Sequence, residues 1–170
     1  IRDRYPVGGI VYFAQNMESK DQVKEMIDNS QSYSKVGLFI STDEEGGMVN
    51  RLMNTVGTTY IDSMYNYKDE GTQKAHDNAY TIASDMAALG FNMDFAPVAD
   101  VWSNPDNTVI GERAYSDDYS QAAELVGSAV KGFEDGGVMC TLKHFPGHGD
   151  TAEDSHYSSA YVRRTKDEIM

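Results

Sequence analysis

The 170-residue chain is short of positive charge, cysteine, proline and long apolar runs, and each shortage excludes something. Its 14 Lys and Arg face 27 Asp and Glu, a formal charge of −13. Nucleic acid and anionic membrane surfaces would repel such a chain, so neither is expected as a main partner. A neutral sugar is compatible with the acidity, although acidity alone does not point to one. The one cysteine, Cys140, rules out an internal disulfide. No apolar run reaches the ~20 residues that cross a bilayer, and no signal peptide is visible, which leaves the compartment open. With 40% hydrophobic residues and no low-complexity tract, the chain is expected to be globular.

Strand and helix patterns alternate along it. Short apolar runs at 8–13, 37–41, 91–96 and 138–142 read as strands of a buried parallel sheet. Ser19 with Gln22 forms a capping box ahead of the stripe Val23, Met26 and Ile27. A helix from 72 to 89 carries Ala75, Ala79, Ile82, Met86 and Leu89 on one face, with Gly90 as its stop. Ser116 is expected to cap a further helix bearing Leu125, Val126, Ala129 and Phe133, ended by Gly136 and Gly137. The connection between 43 and 71 gives no clear pattern. Repeated strand–helix units favour a parallel sheet with helices outside it, and the spacing alone fits a barrel or an open sheet. Asn16, Asp43, Asp100 and His144 all follow the C-terminal ends of strands, which tilts the choice to a barrel, whose active site lies on that rim.

The segment from Lys143 to His156 holds three histidines, three carboxylates and a lysine around Pro146, Gly147 and Gly149. Pro146 removes an amide donor and the glycines favour a turn, so the segment is a loop. Titratable groups crowded on a loop point to binding or chemistry. His144 and His148 have the interval of a helical zinc motif, but a helix is excluded here and Phe145 stands where that motif has Glu. A metal site of another geometry stays open, as does a plain polar surface loop. The third reading is acid–base catalysis. In Asp154-Ser155-His156 an extended backbone puts the acid and the imidazole on one side, where the carboxylate can fix the tautomer and stabilise the protonated ring. Histidine also titrates near neutral pH, so it can give a proton and take one back.

Three blocks carry a resemblance: Lys143-His144-Phe145-Pro146-Gly147-His148-Gly149 with Asp154-Ser155-His156, then Asp43-Glu44-Glu45-Gly46-Gly47-Met48-Val49-Asn50-Arg51-Leu52, and Phe95 to Val101 with Ile110 to Ser116. They occur in the order found in glycoside hydrolase family 3, and they resemble its bacterial NagZ-type β-N-acetylglucosaminidase branch over nearly the whole chain. Glu44 stands where Gln or His is more common in that family, and Met48 where Arg is frequent. The β-glucosidase branch lacks the Pro-Gly-His-Gly and Asp-Ser-His elements.

The resemblance implies an α/β fold, a (β/α)8 TIM barrel of which strands two to five lie in this chain. Residues 1–170 would then be a partial N-terminal catalytic domain, truncated at both ends, because a complete barrel takes roughly 250 residues. Thr165 and Glu168 form a second capping box whose helix would stop at Met170. The implied activity is retaining hydrolysis of terminal β-linked N-acetylglucosamine from cell-wall fragments or chitooligosaccharides. His156 would be the acid/base and Asp154 its orienting partner, while Asp43, Arg51, Arg113, Lys143 and His144 hold the non-reducing sugar. The nucleophile would be an Asp on a later strand. No residue here matches its motif, so the chain alone is expected to be inactive. The expected partner is a small carbohydrate; no cofactor or metal is expected, and the oligomeric state is open.

Plainer roles compete at each position. Asp43 could end a strand, Arg51 could pair with Glu44 or Glu45, and Arg113 with Glu112 or Asp100. His148 and Asp150 are expected to shape the loop rather than touch substrate, and Gly46 and Gly47 to allow close approach or positive φ; Trp102 could stack on a sugar, but a core or rim aromatic is the expectation. At the level of activity, a phosphorylase on the same fold and a non-catalytic sugar- or metal-binding piece are the alternatives.

Overall fold

A computed structural model describes residues 6–154, 156–157, 159–162 and 164–169. Four short strands, β1 (Gly9–Val11), β2 (Phe39–Thr42), β3 (Met93–Asp94) and β4 (Met139–Cys140), form one parallel sheet in the order β1-β2-β3-β4. The register aligns Val11 with Ser41, Ser41 with Met93, and Met93 with Met139. An open doubly wound sheet reverses its strand order at a switch point. Here each strand lies beside its predecessor, which is the order of a barrel wall. No reversal of strand order occurs among the described residues, as the barrel requires.

Three long helices link the strands: α1 (Lys20–Ser32), α3 (Thr72–Leu89) and α4 (Tyr119–Asp135). Ser19 accepts the amide of Gln22, as the capping box requires, although the Gln22 side chain returns to the Glu18 amide rather than to that of Ser19. All five residues of the expected α3 stripe are buried, and Gly90 ends the helix at φ 99°. The cap of α4 differs from expectation. Asp118 accepts the Gln121 amide, while Ser116 stands two residues back, accepting the Asp118 amide and donating to the Gln121 side chain. Both residues are cap formers, and the one nearer the first helical turn takes the position. The connection after β2 contains the short α2 (Met53–Val56) and a 3-10 turn, Met64–Glu70; α5 (Lys166–Ile169) closes the chain's element order.

The helices cover one face of the sheet, where Val23, Ile27, Ile40, Ala79, Met86, Leu125 and Phe133 are buried together. On the opposite face the in-register row Val11, Ser41, Met93 and Met139, with Phe39, belongs to the side a barrel turns inward. Val11, Phe39 and Met139 are exposed there. Among the described residues no helix is long and apolar enough to cross a membrane.

Candidate active site

The loops leaving β2, β3 and β4 build one cavity of about 390 Å3 at the C-terminal end of the sheet. Asp43, Glu45, Arg51, Arg113, Lys143, His144, His148 and His156 line it, together with Phe13 and an apolar edge of Val49, Val109 and Ile110.

After β2 the chain must turn back sharply. Gly46 and Gly47 adopt φ 95° and 55°, and a Cβ on Gly47 would fall 2.2 Å from Ser63 Oγ, so close approach and positive φ both apply. Glu44 points inward and accepts the amides of Arg51, Leu52 and Met53 at 2.5, 2.8 and 3.1 Å. Burial still holds its carboxyl above the ordinary value, because desolvation outweighs those three bonds. Its neighbour Glu45 faces the cavity, with a side chain that is 0% exposed.

Glu45 is the hub that the sequence reading missed. Arg113 grips it side-on, Nε and Nη2 each donating at 2.8 Å, and Lys143 Nζ contacts the same carboxylate while donating to Asp43 at 2.8 Å. Arg113 therefore pairs with neither Glu112 nor Asp100. Arg51 does not use its guanidinium on Glu44 either; Nη1 reaches the Asn50 carbonyl and the backbone amide serves Glu44. Burial opposes the charge on Arg113, but Glu45 more than offsets it and raises the guanidinium pKa. A signal was present in the sequence. Three cations assigned to one sugar pocket need more than Asp43 to balance them, and alternation within the Glu44-Glu45 pair lets one turn in and the other toward the pocket.

The histidine loop hangs from Asp100, whose side chain is 1% exposed. Its Oδ2 meets His144 Nδ1 at 2.6 Å and accepts the His144 amide, while Oδ1 accepts the His148 amide at 2.6 Å. Burial works against ionisation here, yet the His144 ring and these amides prevail and hold the Asp100 carboxyl below its usual range. With Nδ1–H donated to Asp100, His144 Nε2 accepts from Arg113 Nη2 at 3.3 Å. Both ring nitrogens are engaged. Buried Asn107 ties the two loops: its Oδ1 accepts the amides of Val109 and Ile110, just before Arg113, and its Nδ2 donates to the His148 carbonyl at 2.6 Å. His148 shapes the loop and also lines the cavity, and its Nδ1 meets Thr151 Oγ1 at 2.6 Å. No cluster of three or more metal-ligating side chains occurs among the described residues.

On the cavity rim, His156 Nδ1 lies 2.7 Å from Asp154 Oδ1, which also accepts the His156 amide at 2.9 Å. These two bonds, amide first, hold the Asp154 carboxyl below its ordinary value. The pairing leaves Nε2 as the proton-exchanging nitrogen. The His156 side chain is 80% exposed, so it reaches solvent as well as the cavity. Trp102 is partly buried against the hydrophobic core and packs on Tyr65, with ring centroids 5.1 Å apart.

A family model, the Glycosyl hydrolase family 3 N terminal domain, matches residues 3–170. The chain belongs to glycosyl hydrolase family 3. Its sheet is accordingly part of a TIM-barrel-like α/β fold. This family 3 chain is 38% identical to the beta-hexosaminidase A of Pseudoalteromonas piscicida, over 98% of its own length and 29% of that enzyme's. A solved family 3 β-N-acetylglucosaminidase from Paenibacillus superposes with a TM-score of 0.90 at 42% identity, covering 96% of this chain and 32% of that one. NagZ from Neisseria gonorrhoeae gives 0.86 at 30% identity, over 96% and 49%. The chain thus spans about a third of the one solved relative and about half of the other. Of the residues singled out from sequence, Asp43, Arg51, Arg113, Lys143, His144 and His156 meet around the cavity, and Asp154 stands behind His156.

Proposed function

We propose that this chain carries the sugar-holding and proton-transfer groups of a retaining β-N-acetylhexosaminidase, which removes terminal β-linked N-acetylglucosamine from cell-wall fragments or chitooligosaccharides. One observation carries the reading: a cavity lined by charged forks and acceptors has a carboxylate-backed imidazole on its rim. Asp43 accepts sugar hydroxyls, and Lys143, Arg113 and Arg51 donate to hydroxyls or the N-acetyl carbonyl. His144, held by Asp100 on one side and Arg113 on the other, sets the pocket wall.

Glycosidases pass through an oxocarbenium-like transition state and generally use two carboxylates. Here His156 takes the place of the acid. Its Nε2 proton goes to the glycosidic oxygen as the C–O bond breaks, while a carboxylate nucleophile bonds to the anomeric carbon. Water then attacks that carbon, His156 takes the proton from the water, and the nucleophile leaves. Asp154 stabilises the imidazolium that enters the first step and forms again in the second. None of the 170 residues is assigned as the nucleophile.

In the catalytically competent protein, His156→Ala should remove about 100-fold or more of kcat on alkyl and sugar leaving groups, the span typical of general acid catalysis. Activated phenyl glycosides need no protonation and should lose far less in their bond-breaking step. Equal losses across the leaving-group series would overturn the assignment.

A further inference from the structure

Outside the cavity, one ion pair closes the chain on itself around the acid/base histidine. Asp150 Oδ1 accepts from Arg164 Nη2 at 2.9 Å and Oδ2 accepts from Arg164 Nε at 3.0 Å, a side-on fork across fourteen positions. Asp154 and His156 lie between these two stems.

The first stem is fixed to the loop that follows β3. Asp150 Oδ1 also accepts from Ser103 Oγ at 2.9 Å, and Asn104 donates its amide to the Gly149 carbonyl at 3.3 Å. Gly149 lies so close to Val101 that a Cβ would come within 1.8 Å of the Val101 carbonyl oxygen. The second stem stands off. A cavity of about 380 Å3, lined by Val101, Ser103, Tyr119, Asp150, Val162 and Arg164, separates it from that loop, and the fork lies on the cavity's wall. Arg164 also lowers the Asp150 pKa, so the pair is charged through the neutral range. Such a half-exposed pair adds little to global stability. Its effect is local: it ties together the two ends of the segment carrying His156, and so removes conformations in which the imidazole is away from the substrate.

We propose that Asp150 and Arg164 form a positioning clamp that sets how often His156 stands over the cavity. The proposal rests on the acid/base role given to His156 above. Neither clamp residue touches substrate, so its loss should act only through proton transfer.

The test uses the catalytically competent protein containing this chain, with Arg164→Ala, Arg164→Lys, Asp150→Asn and His156→Ala assayed in parallel. Substrates are N-acetylglucosaminides with a poor alkyl leaving group and with an activated nitrophenyl group. We expect Arg164→Ala to lose about 10-fold in kcat on the poor leaving group with KM little changed, and much less on the activated one. Arg164→Lys keeps the charge without the fork and should recover part of the loss. Should Arg164→Ala not fold, Asp150→Asn, which is isosteric and keeps an oxygen for Ser103, must show the same split. Equal losses on both substrates, or a native rate on the poor leaving group, would overturn the clamp provided His156→Ala still discriminates between them. If His156→Ala does not discriminate, the acid/base reading fails and the clamp fails with it.

Discussion

Asp100 illustrates how much of the site one residue can determine. It receives three N–H donors from His144 and His148 and is almost wholly out of water. Asp100→Asn keeps the shape but presents an amide NH2 to at least one of those donors, leaving buried groups unpaired. We expect a loss of about 2–3 kcal/mol of unfolding free energy, measured by urea denaturation at neutral pH. The pH dependence has a definite sign. A carboxyl held below its unfolded value of about 3.9 stabilises the fold above that pH and loses the contribution as pH falls through the folded value. Asp100→Asn should therefore flatten the acid limb of the stability curve below about pH 4, and an unchanged limb would contradict the geometry. The importance of Asp100 was only half visible in the sequence, which marked it as a strand-end polar residue. Its partners lie 44 and 48 positions away, and the Arg113–Glu45 pair spans 68. Local pattern shows which residues carry chemistry, whereas long-range pairing depends on how the loops meet. Asp154 with His156 was legible because that pairing is local, two positions along the chain.

At the scale of elements, α3 and α4 pack through small residues. The burial stripes of both helices follow from periodicity, but the depth of their contact does not. A Cβ on Gly132 would lie 2.3 Å from the His76 carbonyl oxygen, and one on Gly136 would lie 2.4 Å from Ala83 Cβ. In isolation a mid-helix glycine costs stability, and alanine would improve the helix by up to about 1 kcal/mol. Here the contact should win. Gly132→Ala must push backbone apart, at a cost of about 1–3 kcal/mol from overpacking. A fall in Tm with unchanged helical circular dichroism is the expected outcome; a rise would show that the helices separate freely. The short strands were harder to bound from sequence. The run at 91–96 is regular strand only at Met93 and Asp94, although Asn92 and Phe95 donate their amides to Ile40 and Thr42 of β2 and Ala96 accepts that of Thr141.

For the whole molecule, the strict strand order and the exposed Val11, Phe39 and Met139 fit one arrangement: the sheet belongs to a TIM-barrel-like fold and is covered on its outer face by helices. β1 pairs only with β2, and β4 only with β3, among the described residues. The cavity proposed to hold the sugar, by contrast, is lined by loops of this chain, with Glu45 neutralised inside it by Arg113 and Lys143. Holding a sugar and cleaving its bond therefore separate. Binding needs the cavity, whereas retaining cleavage needs a carboxylate about 5–5.5 Å from the acid group in the usual two-carboxylate arrangement. The 170-residue chain on its own should bind N-acetylglucosamine weakly and release no nitrophenol from its activated glycoside. Ligand-observed magnetic resonance should show saturation transfer to the sugar that Lys143→Ala abolishes, since Lys143 joins Asp43 and Glu45 across the pocket floor. Turnover by the chain alone, abolished by replacing a carboxylate within it, would place the nucleophile among these residues and overturn the division of labour proposed here.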